Sequence, residues 1–133
     1  MIIDPHAHYH PRAYMDALAN LPGVRRGGAF APHPDTDTDE HIARRLEHMD
    51  EAGVGLQVLS PAANRAPYTT DEAAAVAAAR LTNDLTADLI SRYPKKFKAF
   101  VTLPLPHIEA SLRELERALD ELGMIGLNLH ISA

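Results

Sequence analysis

No cysteine occurs in the 133 residues, which excludes a disulfide scaffold and leaves His, Asp and Glu as the side chains available to hold a metal. No apolar run approaches the roughly 20 residues needed to cross a bilayer. The opening Met1-Ile2-Ile3 gives way at once to Asp4, without the basic and long apolar regions of a secretory leader, so the cytoplasm is the expected compartment. Lys and Arg number 13 against 18 Asp and Glu, a net charge of -5, and the basic residues are scattered. That distribution gives no electrostatic footprint for nucleic acid or an anionic membrane, and small molecules are the expected partners. Missing too are a G-x-S-x-G elbow, a Cys nucleophile, G-x-x-x-x-G-K-[ST] and G-x-G-x-x-G. Without a phosphate loop at a strand-to-helix junction, a stand-alone flavodoxin-like nucleotide domain ranks last among the candidate functions.

What is present is the composition of one globular domain, 46% hydrophobic and 23% charged. Four short apolar runs, "MII", "GVGLQVLS", "KAFVTLPL" and "GMIGLNLHI", read as strands bounded by Gly, Pro or Asp. Helical patterns separate the last three. "TTDEAAAVAAARLTNDLTADLISRYP" is rich in helix formers, has a Thr69-x-x-Glu72 capping box and stops at Pro94. "HIEASLRELERALDELG" carries Ile108, Leu112, Leu115, Leu119 and Leu122 at spacings of four and three, ending at Gly123. "DTDEHIARRLEHMDEAG" repeats the design with Ile42, Leu46 and Met49 on one stripe, and Gly53 reads as its stop. Strand and helix alternate, so the expected fold class is α/β with a parallel sheet. Residues 10–35 break the rhythm with Pro11, Pro22, Pro32 and Pro34, and read as a loop insertion at the active site in which "RAYMDALAN" forms one or two helical turns.

The chemistry concentrates in "DPHAHYHP". In a regular strand residues two apart share a face, so Asp4, His6 and His8 are expected to point the same way. Two imidazoles placed so can converge on one ion, and reactive groups in parallel α/β folds gather at the carboxyl ends of strands, where this segment lies. The competing reading is two histidines that cap a strand end by bonding loop backbone. His10, before Pro11, is expected to be a solvated loop residue or a substrate contact rather than a ligand. His130, in "LNLHIS", ends the fourth strand on the face of Asn128 and is a candidate third ligand; its alternative is a satisfied histidine at the chain end. His41 and His48 read as a solvated helix face, His107 as a first-turn residue, and His33 is uninformative.

"IDPHAH", "EAGVGLQVLSP", "NDLTADLISRYPKKFKAFVTLPL" and "ELERALDELGMIGLNLH", in that order, resemble the amidohydrolase-related family, in the branch of aminocarboxymuconate-semialdehyde decarboxylase. The resemblance covers essentially the whole chain. It implies that His6 and His8 ligate one divalent ion, usually zinc, and that Asp4 is a supporting group behind them. It further implies a TIM-barrel type metal-dependent hydrolase fold of which 133 residues supply about half, four strands instead of eight. The implied activity is decarboxylation or hydrolysis of a small carboxylated aromatic or ring-cleavage compound, with the chain alone expected to be inactive. The rival expectation is a non-catalytic half-barrel binding or assembly module, with or without a structural metal. Either way the first and fourth strands would be open edges, and self-association or pairing with a missing C-terminal half is expected.

Overall fold

In the computed structural model, which describes residues 1–22 and 37–129, four strands alternate with helices. The elements are β1 (Ile2–His8), α1 (Arg12–Ala19), α2 (Asp39–Glu51), β2 (Val54–Ser60), α3 (Glu72–Arg92), β3 (Phe97–Val101), α4 (Ile108–Asp120) and β4 (Gly126–Leu127). The strands form one sheet in the order β1-β2-β3-β4, every pair parallel, as expected of apolar strands joined by helical crossovers. Gly53 and Gly123 take φ of 70° and 68°, the left-handed conformation that ends α2 and α4 without a Cβ penalty.

The helices cover one face. Ala7, Leu59, Phe97, Ala99 and Val101 from the strands pack with Ile42 and Met49 of α2, Leu89 and Ile90 of α3 and Ala118 of α4. A second cluster joins Tyr14, Leu18 and Leu21 to Ala78, where the small alanine face of α3 lets α1 approach. The "RAYMDALAN" segment is thus a packed helix of eight residues, and the rest of the expected insertion, from residue 23 onward, lies outside the described residues.

Three expectations are corrected. The cap of α3 is Asp71, whose carboxylate accepts from the Ala74 amide at 3.0 Å; the Thr69 hydroxyl is taken up by the Pro22 carbonyl and so does not start the helix. Among the described residues the fourth strand pairs over only Gly126–Leu127, and the end of the expected strand at His130 lies outside them. The leucine stripe of α4 faces this core only in part: Leu115 and Leu122 pack against it beside the buried Ala110, Ser111, Glu114 and Ala118, while Ile108, Leu112 and Leu119 are 61%, 56% and 39% exposed. Glu114 can sit inward because Asn83 and Arg117 satisfy it, which turns the helix about its axis and leaves Ile108, Leu112 and Leu119 at the open flank.

Phe97→Ala, at a fully buried strand position, is expected to lower unfolding free energy by about 3–5 kcal/mol. Ala118→Leu, which forces a larger side chain into the same layer, is expected to cost about 1–3 kcal/mol. Urea midpoints check both; a neutral Ala118→Leu would show that α4 turns another face to the sheet.

Candidate metal centre

The ladder between β1 and β2 pairs Asp4 with Gln57, Ala7 with Leu59 and His8 with Ser60. β1 therefore carries one residue too many between Asp4 and Ala7, a bulge at Pro5-His6 where proline has no amide to lose from the ladder. The bulge overturns the simple alternation. Asp4 accepts from Gln57 Nε2 at 3.0 Å, and Gln57 Oε1 accepts from Arg45 of α2 at 3.2 Å, which places the Asp4 carboxylate on the helix-covered face. Ala7 also packs into the helical core, so His6 and His8 on either side of it face the other way. Asp4 and the histidines do not share a face. The carboxylate supports them from behind instead, accepting the His6 amide at 3.1 Å.

His6 and His8 are exposed and stand edge to face, ring centroids 4.8 Å apart. His8 Nδ1 lies 3.3 Å from the Ser60 carbonyl, a contact that fixes the ring with its Nε2 outward. Its own carbonyl accepts from Arg45 Nη2 at 2.6 Å. Arg45 is half-buried, and that burial lowers its pKa. One guanidinium thus ties the His8 backbone to the Gln57–Asp4 pair, a connection nothing in the helical pattern of "HIARRLEH" foretold.

His10 is corrected: it is 4% exposed, and its Nε2 accepts from the Ala62 amide at 3.0 Å, so it anchors the loop after β2 rather than facing solvent or substrate. His107 is the cap residue of α4, with Nε2 2.9 Å from the Thr69 carbonyl. His48 is exposed as expected, and His41 contacts the Thr38 hydroxyl. His130 and His33 lie outside the described residues. Among the described residues no group of three or more potential ligands comes together, so the structure assembles two imidazoles and no third partner.

Beside them, Ser60, Tyr68, Thr102, Leu103, Leu127 and Asn128 border a cavity of about 20 Å³ at the carboxyl ends of β2, β3 and β4. Burial pushes the Tyr68 phenol up, keeping it a neutral donor. Behind His8, Tyr9 is buried, and burial first and Asp37 second push its phenol up to about 12. Asn83 of α3 clamps the end of β3: its Nδ2 donates to the Thr102 carbonyl at 2.9 Å and to Glu114 at 2.8 Å, while its Oδ1 accepts the Thr102 amide at 2.9 Å. Arg117 completes the network on Glu114 and Asp84, bonds that raise its pKa further.

A family model described as "Amidohydrolase" matches residues 3–133. The chain belongs to the amidohydrolase family. It is 33% identical to a 2-keto-4-carboxy-3-hexenedioate hydratase of Sphingobium over 98% of its own length and 41% of the relative's. A gamma-resorcylate decarboxylase of Polaromonas is 37% identical over 62% of this chain and 26% of that protein. Among solved structures, a dihydroxybenzoic acid decarboxylase of Polaromonas, with bound manganese and the inhibitor 2-nitroresorcinol, superposes with a TM-score of 0.72 at 29% identity, covering 94% of this chain and 36% of the other. The chain thus spans between about a quarter and two fifths of these relatives, and its four parallel strands are part of the TIM-barrel fold of this amidohydrolase group.

Asn83→Ala is expected to strip Glu114 and the Thr102 peptide of buried partners and to cost about 3 kcal/mol, read from urea unfolding. Asn83→Asp should cost more, since it sets a second carboxylate against Glu114. Equal losses in the two variants would count against the clamp.

Proposed function

We propose that the chain supplies the first part of a metal-dependent amidohydrolase-type site that decarboxylates, hydrates or hydrolyses a small carboxylated aromatic or ring-cleavage compound. The observation that carries this reading is the paired, outward-facing His6 and His8 at the carboxyl end of β1 in a chain of this family. The residues fit a divalent ion: both rings are exposed and stand edge to face with centroids 4.8 Å apart, and a backbone contact orients His8. A bound ion would serve as a Lewis acid that polarises a substrate oxygen or activates water. Imidazole ligands suit zinc, and the decarboxylase neighbour holds manganese, so both ions are candidates.

The protein groups around the ion have separable tasks. Asp4, Gln57 and Arg45 hold the strand end that carries the histidines. Tyr68 and Thr102 offer neutral hydroxyls at the adjoining strand ends, suited to a carboxylate or phenol oxygen. The cavity beside them holds about one water and is far too small for an aromatic acid, so a substrate would need a wall on the opposite side. No acid–base group joins the histidines among the described residues, which favours a second reading as well: a non-catalytic half-barrel module that keeps the metal for assembly.

Plasma mass spectrometry on tag-free protein dialysed against equal zinc and manganese tests the ligand assignment. The natural chain is expected to retain metal, and the His6→Ala/His8→Ala variant to lose about tenfold or more in affinity. Equal metal in both proteins would remove the basis of the reading. Conversion of γ-resorcylate by the 133-residue chain at ordinary enzymatic rates would exclude the non-catalytic alternative.

A further inference from the structure

We propose that His10 is a positioning residue whose one buried ring acts in two directions: it backs the imidazole of His8, and it pins the loop after β2 that borders the cavity beside the histidines. This role rests on the reading of His6 and His8 as metal ligands and adds what fixes the attitude of one of them.

His6, His8 and His10 fall at every second position, and the metal reading uses only the first two. The third is unlike them. His6 and His8 are exposed, whereas His10 is 4% exposed and follows and precedes two further buried residues, Tyr9 and Pro11. A buried imidazole needs its polar atoms engaged, and Nε2 of His10 accepts the Ala62 amide at 3.0 Å. The lone pair of that nitrogen is spent on the peptide, so Nε2 is not open to an ion.

The face of the ring is engaged as well. It lies 5.8 Å from the His8 ring, centroid to centroid, with 29° between the planes, an offset stack within the range of favourable aromatic pairs. The Ser60 carbonyl, 3.3 Å from His8 Nδ1, sets which nitrogen of His8 points outward. One polar contact leaves a ring free to swing about it, and packing against a second, buried ring removes that freedom. His6 meets His8 edge to face at 4.8 Å and so inherits a neighbour that is held in place.

The same ring ties the carboxyl ends of β1 and β2 together. Their last ladder pair is His8 with Ser60. Beyond it Tyr9 donates its amide to the Ser60 carbonyl at 3.2 Å, and Ala62 donates its amide to His10. Ser60, Pro61, Ala66 and Tyr68, from the stretch secured in this way, border the cavity. A displacement of His10 therefore moves a metal ligand and the cavity wall together.

Two substitutions separate the two tasks. His10→Gln keeps an acceptor for Ala62 and removes the ring, whereas His10→Phe keeps a ring face and removes the acceptor. Three measurements on the full-length gene product read them out: zinc affinity by competition with a chromophoric chelator, visible absorption after cobalt substitution, and hydrogen exchange of the peptide around Ala62 in metal-free protein. His48→Gln, on an exposed helix face, serves as the control and is expected to match the natural protein in all three. His10→Gln is expected to keep Ala62 protected, to lose about tenfold in zinc affinity and to change the cobalt spectrum. His10→Phe is expected to speed exchange at Ala62 by about tenfold and to hold zinc more tightly than His10→Gln does. Natural zinc affinity and an unaltered cobalt spectrum in His10→Gln overturn the backing of His8. Unaltered exchange in His10→Phe overturns the pinning of the loop. A natural protein that takes up no more zinc than His6→Ala/His8→Ala overturns the ligand reading itself, and the role of His10 toward a ligand with it.

Discussion

A parallel sheet covered by helices on one face has two unmet demands, the uncovered face and the two edges, and the rest of this molecule is arranged around them. The crossover helices bury Phe97, Leu59 and Leu89 completely, so the helical side is a finished core. The other side is where His6 and His8 stand in the open, and the edges are where Ile2, Ile3, Ile125 and Leu129 remain about half exposed. In a closed barrel the strand interiors pack against one another in layers and no edge survives. Among the described residues the apolar edges are thus uncovered, and the paired imidazoles stand without a third partner.

Within that frame, one extra residue in β1 separates the chemistry from its support. A regular strand would have set Asp4 on the same face as the histidines. The bulge at Pro5-His6 instead turns Asp4 toward α2, where Gln57 and Arg45 engage it. Arg45 then reaches the His8 carbonyl, so a helix on the outer layer holds the position of an imidazole on the inner face. A charge half removed from water is stabilised only where its donors are all used, and here the guanidinium meets a side-chain amide and a carbonyl with the Asp4 carboxylate close by.

Much of this was legible in the residues. The βα alternation, the parallel sheet, the stops at Gly53 and Gly123 and the family itself all follow from periodicity, turn chemistry and the family resemblance. What was not legible depended on tertiary competition. Thr69 satisfies a capping motif, yet its hydroxyl finds the Pro22 carbonyl and Asp71 caps the helix. The apolar stripe on α4 was legible as amphipathic, but not its split into Leu115 and Leu122 on the core and Ile108, Leu112 and Leu119 in the open, because the deciding feature is the burial of Glu114 by Asn83 and Arg117, which the stripe's own pattern does not include. His10 reads as a loop residue, and only the fold reveals the Ala62 amide that it accepts. A one-residue bulge leaves no mark on period-two alternation other than Pro5 itself.

The α4 helix shows why the stripe and the buried acid belong to one design. A helix with leucines on one side would roll them into the nearest core unless another interaction held it. Glu114, bonded by Asn83 and two nitrogens of Arg117 and flanked by Arg80, supplies that hold, since rolling the leucines inward would pull a charge out of a network built to neutralise it. The network also grips Thr102, fixing the carboxyl end of β3 at the mouth. One buried carboxylate thereby sets two things at once: the strand end beside the histidines, and the exposed placement of Ile108, Leu112 and Leu119. The residues that anchor α4 inward, Glu114 with Asn83 and Arg117, are thus the ones that leave Ile108, Leu112 and Leu119 outward while Leu115 and Leu122 pack on the core.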